Sequence, residues 1–218
     1  MPADKEYRDT KLIIKGKTVL KSPFLEFANW LSIEYGVNVL NIVYDKVIPD
    51  NRPRLQIILK KRNELLSFQE KDSINFDRMK QKKITEKFVE LVKSKNINQF
   101  DTNSIFSVFS AFDSIALIEA NENISNWQIE ELISNYSKLE IWKIERSFGA
   151  AVCFFYKNQQ LENAINKGKT DLISSSYFNL LKRFDEFSLI ERDLFTLSFD
   201  SKENFDRNYN GNWFNYWR

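Results

Sequence analysis

The feature that most constrains the fold is an order of apolar patterns that the chain repeats. A helical pattern precedes two neighbouring runs with the alternation of β-strands, and further helical patterns and a last strand pattern follow. In the first half these patterns occupy residues 24–35, 37–47, 52–61, 63–70, 84–95 and 104–112. In the second half they occupy residues 125–137, 139–147, 150–157, 159–168, 176–187 and 193–199. The order predicts an α+β protein made of two copies of one unit.

A further strand is predicted in front of the first helix of each copy, at residues 11–16 or 17–21 and at residues 113–120. Each unit then has the order βαββαβ, which is that of the ferredoxin-like fold, with an antiparallel sheet and helices on one face. The predicted units are residues 10–112 and 113–201, followed by an aromatic tail, residues 202–218. A single larger α+β sheet without duplication is the alternative.

The composition limits the chemistry that the chain can perform. Of the 218 residues, 43% are apolar and 28% are charged, which is typical of a globular protein. The chain contains no histidine, so Ser-His and Cys-His nucleophile pairs and His-ligated zinc sites cannot be built. Its single cysteine, Cys153, cannot form an internal disulfide. We therefore predict no catalytic residue, no metal ligand and no cofactor.

The charge and the first residues bear on partners and location. A formal net charge of +2 is small for a protein dedicated to nucleic acids. The first residues lack the apolar stretch of a signal peptide, and no run approaches the roughly 18 apolar residues of a membrane span. We expect a cytoplasmic protein that does not bind membranes, and the small net charge argues against nucleic acid as its partner without excluding it.

One strand of the second unit is apolar on both faces. In residues 151–156, Val152 and Phe154 alternate with Cys153 and Phe155. A helix layer covers only one face of a sheet, so the other face needs a second cover. We expect the sheet of the first unit or another protein chain to provide that cover. This expectation favours a protein partner or self-association.

The first unit resembles the ACT domain, a small regulatory module that binds amino acids. The resemblance covers Ser22 to Asp45, with Pro23, a helix, and then Gly36 and a strand. In that family a glycine after the proline leaves room for the ligand, and this chain has Phe24 there. The resemblance implies a small-ligand sensor that binds an amino-acid-type ligand between the two units.

The second unit resembles an RNA-recognition motif over residues 125–165, including the approach to its third strand at Gly149. That family stacks bases on aromatic rings of two strands. The matching positions here are Ala116, Ala150 and Val152, so the stacking rings are missing. Both resemblances imply the ferredoxin-like order of elements, and they imply different functions.

A basic stretch at residues 77–87 is the candidate for phosphate contact. Its candidate residues are Arg78, Lys80, Lys82 and Lys83. Acidic residues lie within the same stretch, so a solvated and locally balanced helix start is the alternative.

The C-terminal tail concentrates aromatic residues that are candidates for contact with a partner: Trp213, Phe214, Tyr216 and Trp217. Tryptophan and tyrosine are enriched at interaction hot spots. The alternative is that the tail folds back over its own unit. Residues 206–212 also match the opening of a calcium loop, but Trp217 stands where the closing glutamate belongs, and an Asn-Gly turn is expected instead.

These observations predict a non-catalytic protein-interaction module. A small-ligand sensor and a nucleic-acid-binding protein that uses residues 77–87 are the alternatives.

Overall fold

The computed structural model describes all residues from Met1 to Arg218. It divides into two compact units, Met1–Ser114 and Ile115–Arg218. Each unit contains one three-stranded sheet with helices packed against it. The α+β class is confirmed, and two units that each carry a sheet and helices are compatible with the predicted pair of ferredoxin-like units. None of the helices combines the length and the apolar character that a membrane crossing requires.

The same succession of two helices, two strands, two helices and one strand occurs twice. In the first unit the elements are α1 (Lys5–Ile14), α2 (Phe24–Tyr35), β1 (Val39–Val47), β2 (Arg52–Leu59), α3 (Arg62–Leu66), α4 (Arg78–Ser94) and β3 (Phe106–Ala111). Helix α5 (Phe112–Asn123) begins in the first unit and continues in the second. The remaining elements are α6 (Asn126–Ser134), β4 (Ile141–Ser147), β5 (Ala150–Phe155), α7 (Asn158–Asn166), α8 (Lys169–Lys182), β6 (Leu197–Ser201), α9 (Lys202–Tyr209) and α10 (Trp213–Tyr216).

Both sheets have the same mixed topology. The first two strands of each sheet form an antiparallel hairpin, and the third strand pairs in parallel with the second. A register shift interrupts the first strand of each sheet near its start, between Val39 and Asn41 and between Ile141 and Lys143. The order of strands is therefore β1-β2-β3 and β4-β5-β6, with β4 and β6 at the edges of the second sheet.

The strand predicted at the start of each unit is wrong. Residues 11–16 lie at the end of α1 and in the turn after it, residues 17–21 form no regular element, and residues 113–120 lie inside α5. A short apolar run does not distinguish a buried strand from a buried helix, and the buried residues Phe112, Ala116 and Ala120 in fact recur every four positions. The sheets consequently have three strands, and they are mixed rather than antiparallel.

The core of the first unit lies between one face of its sheet and the helices α2 and α4. Leu55, Ile57 and Leu59 of β2 supply the sheet side of this core and are fully buried. Helix α2 ends where the sequence predicts, because Gly36 adopts the left-handed conformation at φ 67°. The opposite face carries Asn41, whose side-chain amide donates to the Thr10 hydroxyl of α1 (3.0 Å). Helix α1 therefore covers part of the second face.

The second unit buries both faces of its sheet with its own chain. Cys153 and Phe155 face a large core to which α6, α7 and α8 contribute. Val152 and Phe154 face a separate aromatic cluster that includes Phe205 of α9 and residues of α10. The expectation that the other unit or another chain supplies the second cover is therefore wrong, because the C-terminal tail supplies it.

The similarity between the two units extends to single hydrogen bonds. In the first unit, the Asp113 N–H donates to the carbonyl of Lys60 (3.2 Å), and the Asp113 carboxylate accepts from the N–H of Arg62 (2.9 Å). In the second unit, the Glu203 N–H donates to the carbonyl of Tyr156 (3.2 Å), and the Glu203 carboxylate accepts from the N–H of Asn158 (3.1 Å). The same two bonds thus join the helix after the last strand to the start of the helix after the central strand.

Candidate functional site

A cleft of about 620 Å³ in the second unit runs along the edge strand β4. One wall is the strand and the hairpin turn after it, and the other wall consists of α6 and the end of α5. The lining residues are Asn121, Glu122, Asn126, Ile129, Glu130, Ile133 and residues 142–149.

The backbone of β4 is open toward this cleft. β4 pairs on one side only, with β5, and no hydrogen bond from outside the sheet reaches the backbone of residues 142–147. An uncovered edge strand presents N–H and C=O groups with which a further strand can pair.

Arg146 holds the end of α5 against the cleft. Its guanidinium donates to the carbonyls of Asn121 (2.6 Å) and Ile124 (2.7 Å) and to the side-chain oxygen of Asn126 (3.1 Å). A cation at the C-terminus of a helix is stabilised by the partial negative charge of the unpaired carbonyls. The guanidinium of Arg146 therefore fixes the end of α5, which forms part of the cleft wall opposite β4.

A buried hydrogen bond fixes the base of the same wall. The hydroxyl of the fully buried Tyr177 on α8 donates to Asn121 Oδ1 (2.6 Å), and Asn121 Nδ2 is 3.4 Å from the carbonyl of Ala150. Burial raises the pKa of the Tyr177 hydroxyl well above its ordinary value, while the charge of Arg146 opposes the rise. The hydroxyl therefore stays protonated, and Asn121 ties α5, α8 and the start of β5 together.

The opposite side of β4 joins the cleft to the aromatic cluster. Lys143 forms an ion pair with Glu145, and its ammonium lies 4.5 Å from the centroid of the Trp213 ring. Trp142, which lines the cleft, also stacks on Trp213 with the ring centroids 6.1 Å apart. The tail thus supports one end of the cleft.

Two aromatic side chains stand exposed beside the cleft. Phe148 in the turn after β4 is 80% exposed, and Trp127 at the start of α6 is 66% exposed. Phe148 also has φ 48°, a conformation that is costly for a bulky side chain. Gly149 follows at φ 85°, and a Cβ there would lie 3.0 Å from the Ile118 side chain. Neither the turn nor the core of the unit accounts for a phenylalanine at position 148.

The structure places three of the four predicted tail residues in the aromatic cluster. Trp213, Tyr216 and Trp217 pack against it. The Tyr216 hydroxyl donates to Asp200 Oδ2 (2.8 Å), and burial together with the Asp200 carboxylate raises the Tyr216 pKa. Phe214 is 66% exposed, and the Arg218 guanidinium lies 4.4 Å from its ring centroid. The tail therefore folds back over its own unit and leaves one ring free.

The predicted phosphate-contact residues lie on the first half of α4, far along the chain from the cleft. Arg78 makes no ion pair. Lys80 donates to the carbonyl of Ser67 (2.5 Å), and Lys82 is 3.8 Å from a carboxylate oxygen of Glu86. Lys83 forms an ion pair with Glu34 that raises the Lys83 pKa. Acidic or carbonyl groups thus accompany three of the four cations.

The residues of the supposed calcium loop do not form a loop. Asp206 and Asn208 lie in α9, where Asp206 pairs with Lys202, and Asn210 ends the helix at φ 54°. The structure contains no group of three or more acidic, cysteine or histidine side chains that could hold a metal ion.

The cleft residues were not predicted from the sequence to form a site. The only local signal is the Phe148-Gly149 pair between two strand patterns, because Asn or Asp is usual in the first position of such a turn. No known protein family, curated protein or solved structure matches this chain.

Proposed function

We propose that the protein is a non-catalytic protein-interaction module that accepts an extended segment of a partner protein in the cleft along β4. The observation that carries the proposal is the open backbone of this edge strand, which forms one wall of a lined cleft. A segment added to such an edge gains backbone hydrogen bonds along its whole length, and side-chain contacts then select its sequence.

The exposed rings support the same function. Phe148 keeps a large apolar surface in water at a strained backbone position, and Trp127 is exposed at the start of α6, next to the cleft residue Asn126. Strained and exposed residues concentrate at functional sites, and tryptophan and other aromatic residues are enriched in the centres of protein interfaces. We assign both rings the role of anchors at the end of the cleft where the turn after β4 approaches the start of α6.

The fixed walls support binding without a large rearrangement. Arg146 and Asn121 hold the end of α5 through bonds that are already formed, and Trp142 is backed by the tail. A preformed site does not have to order its own side chains when the partner arrives, which improves affinity.

Selection of random dodecapeptides on the protein, followed by fluorescence anisotropy of the enriched peptides, tests the proposal. Phe148→Asn is the diagnostic variant, since asparagine tolerates a positive φ and the fold is kept. We expect this variant to weaken binding at least tenfold. Leu172→Asn, which removes an exposed apolar residue on α8, is the matched control and should change affinity less than twofold.

Backbone methylation of an enriched peptide then distinguishes strand addition from side-chain binding alone. In a strand, alternate N–H groups point to opposite sides, so only one of the two alternating methylation patterns can block pairing with β4. We expect one pattern to abolish binding and the other to preserve it. Enriched peptides that are indifferent to Phe148→Asn and to both methylation patterns would refute the proposal.

A further inference from the structure

The side chains that line the cleft carry more negative than positive charges. Of the five charged lining residues, Lys143 and Glu145 form an ion pair with each other, and Arg146 is bonded to the end of α5. Glu122 and Glu130 remain, both exposed and both without an ion pair. The wall opposite β4 is therefore acidic.

The geometry of β4 decides which side chains of an added strand meet this wall. Ile144 and Arg146 pair with Cys153 and Ala151, which belong to the core on the α6 side of the sheet. Side chains of a strand alternate between the two faces of its sheet. Every second side chain of an added strand therefore points toward α6, where Glu130 lies, and the others point toward the Lys143–Glu145 pair and Trp142.

From this arrangement we infer that the occupant of the cleft is a basic extended segment of another protein, with lysine or arginine at alternate positions. The inference rests on the proposed function and specifies its partner. Two unpaired carboxylates attract a cationic segment and repel an acidic one, and this discrimination selects between partners. A second copy of this chain fits less well, because its β4 carries only the charges that are already paired.

The test uses three acetylated and amidated octapeptides of the sequence Thr-X-Val-X-Val-X-Val-Thr, in which X is lysine, serine or glutamate. Isothermal titration calorimetry on the 218-residue protein should show the lysine peptide binding at least tenfold more tightly than the glutamate peptide, with the serine peptide between them. The affinity of the lysine peptide should fall as NaCl rises from about 50 to 500 mM, because salt screens exposed charges.

Charge-neutralised variants locate the preference. Glu122→Gln combined with Glu130→Gln should reduce the difference between the lysine and glutamate peptides to less than threefold. Glu131→Gln combined with Glu162→Gln removes the same charge from exposed positions outside the cleft and should preserve the tenfold difference.

Three results would overturn the inference. If the three peptides bind equally and Phe148→Asn still weakens them, the cleft binds strands without regard to charge, and the proposed function stands. If equilibrium sedimentation shows a dimer that Phe148→Asn dissociates, the occupant is a second copy, and the function as an interaction module again stands. If none of the peptides binds at about 1 mM, a basic segment is not the occupant, and the dodecapeptide selection alone decides the proposed function.

Discussion

Phe205 is the residue on which we expect the stability of the second unit to depend most. Its side chain is 3% exposed, and its ring lies 4.1 Å from that of Trp213, 5.7 Å from Tyr216, 5.9 Å from Trp142 and 6.0 Å from Phe154, measured between centroids. Replacing it with alanine removes the ring between the sheet and α10. The free energy of unfolding should fall accordingly.

The magnitude follows from these contacts. Burying a phenylalanine side chain contributes about 1.5–3 kcal/mol, and each well-placed aromatic pair adds about 0.5–1.5 kcal/mol. Because the neighbouring rings collapse only partly into the space, Phe205→Ala should cost about 3–5 kcal/mol. With a urea m value of about 1.5 kcal/mol/M, the midpoint should fall by about 2–3 M.

Urea unfolding followed by tryptophan fluorescence measures this effect, because four of the five tryptophans, Trp127, Trp142, Trp213 and Trp217, lie in the second unit. Phe214→Ala is the matched control, since it makes the same change in the same tail at a side chain that is 66% exposed. The control should stay within about 0.5 kcal/mol of the wild type. A loss below about 1 kcal/mol for Phe205→Ala, or equal losses for both variants, would refute the view that the tail stabilises the sheet.

Three further predictions follow from individual residues. Burial raises the pKa of the Cys153 thiol to about 12. The folded protein should therefore react with a thiol reagent at pH 8 about a thousandfold more slowly than the urea-unfolded protein. Rapid labelling of the folded protein would contradict the burial of Cys153. The Arg54 guanidinium donates to both carboxylate oxygens of Asp45 and lowers the Asp45 pKa, so the contact stabilises the fold above the pKa of Asp45 in the unfolded chain and is lost as the pH falls through the lower pKa of the folded state. The difference in unfolding free energy between wild type and Asp45→Asn should therefore shrink between pH 6 and pH 3 in urea titrations. A constant difference would show that the contact has no effect on stability. Phe148→Gly should raise the stability by about 1 kcal/mol because glycine adopts φ 48° without strain, and a lower Tm in scanning calorimetry would show that the ring supports the turn.

The regular elements with strong periodicity could be predicted from the sequence. The helix at Phe24–Tyr35 and its end at Gly36 agree with the prediction, because glycine takes the left-handed position without strain. The two hairpins also agree: β1, β2 and β4 have seven to nine residues, and the six-residue β5 is marked by a continuous apolar run. Propensity and periodicity suffice where an element is long and its ends are marked.

The first element of the second unit, α5, could not be predicted, because it is buried on more than one side. Its residues 115–118 are all apolar, and such a run fits a central strand as well as a buried helix. Because the predicted first strand does not exist, the predicted sheets were also wrong. No strand lies between β2 and β3, and these two strands pair directly. The local sequence pattern does not determine which strands pair in the sheet.

The candidate site could be predicted least. The apolar alternation of Val152 and Phe154 correctly indicated a second covered face, and the aromatic tail was noted separately, but nothing in the sequence linked the two. The cleft depends on Asn121, Arg146 and Glu130, which lie in three different elements and meet only through the fold. Polar residues at such distances along the chain leave no periodic signal.

The aromatic cover of the second sheet also sets an order of events during protein synthesis. Residues 1–114 contain all elements of the first unit except most of α5, so that unit is able to fold while translation continues. The face with Val152 and Phe154 has no such option, since the ribosome must first make residues 205–217. Until then, the nascent chain exposes an apolar surface, and chaperones that hold such surfaces are expected to bind this face of the second unit.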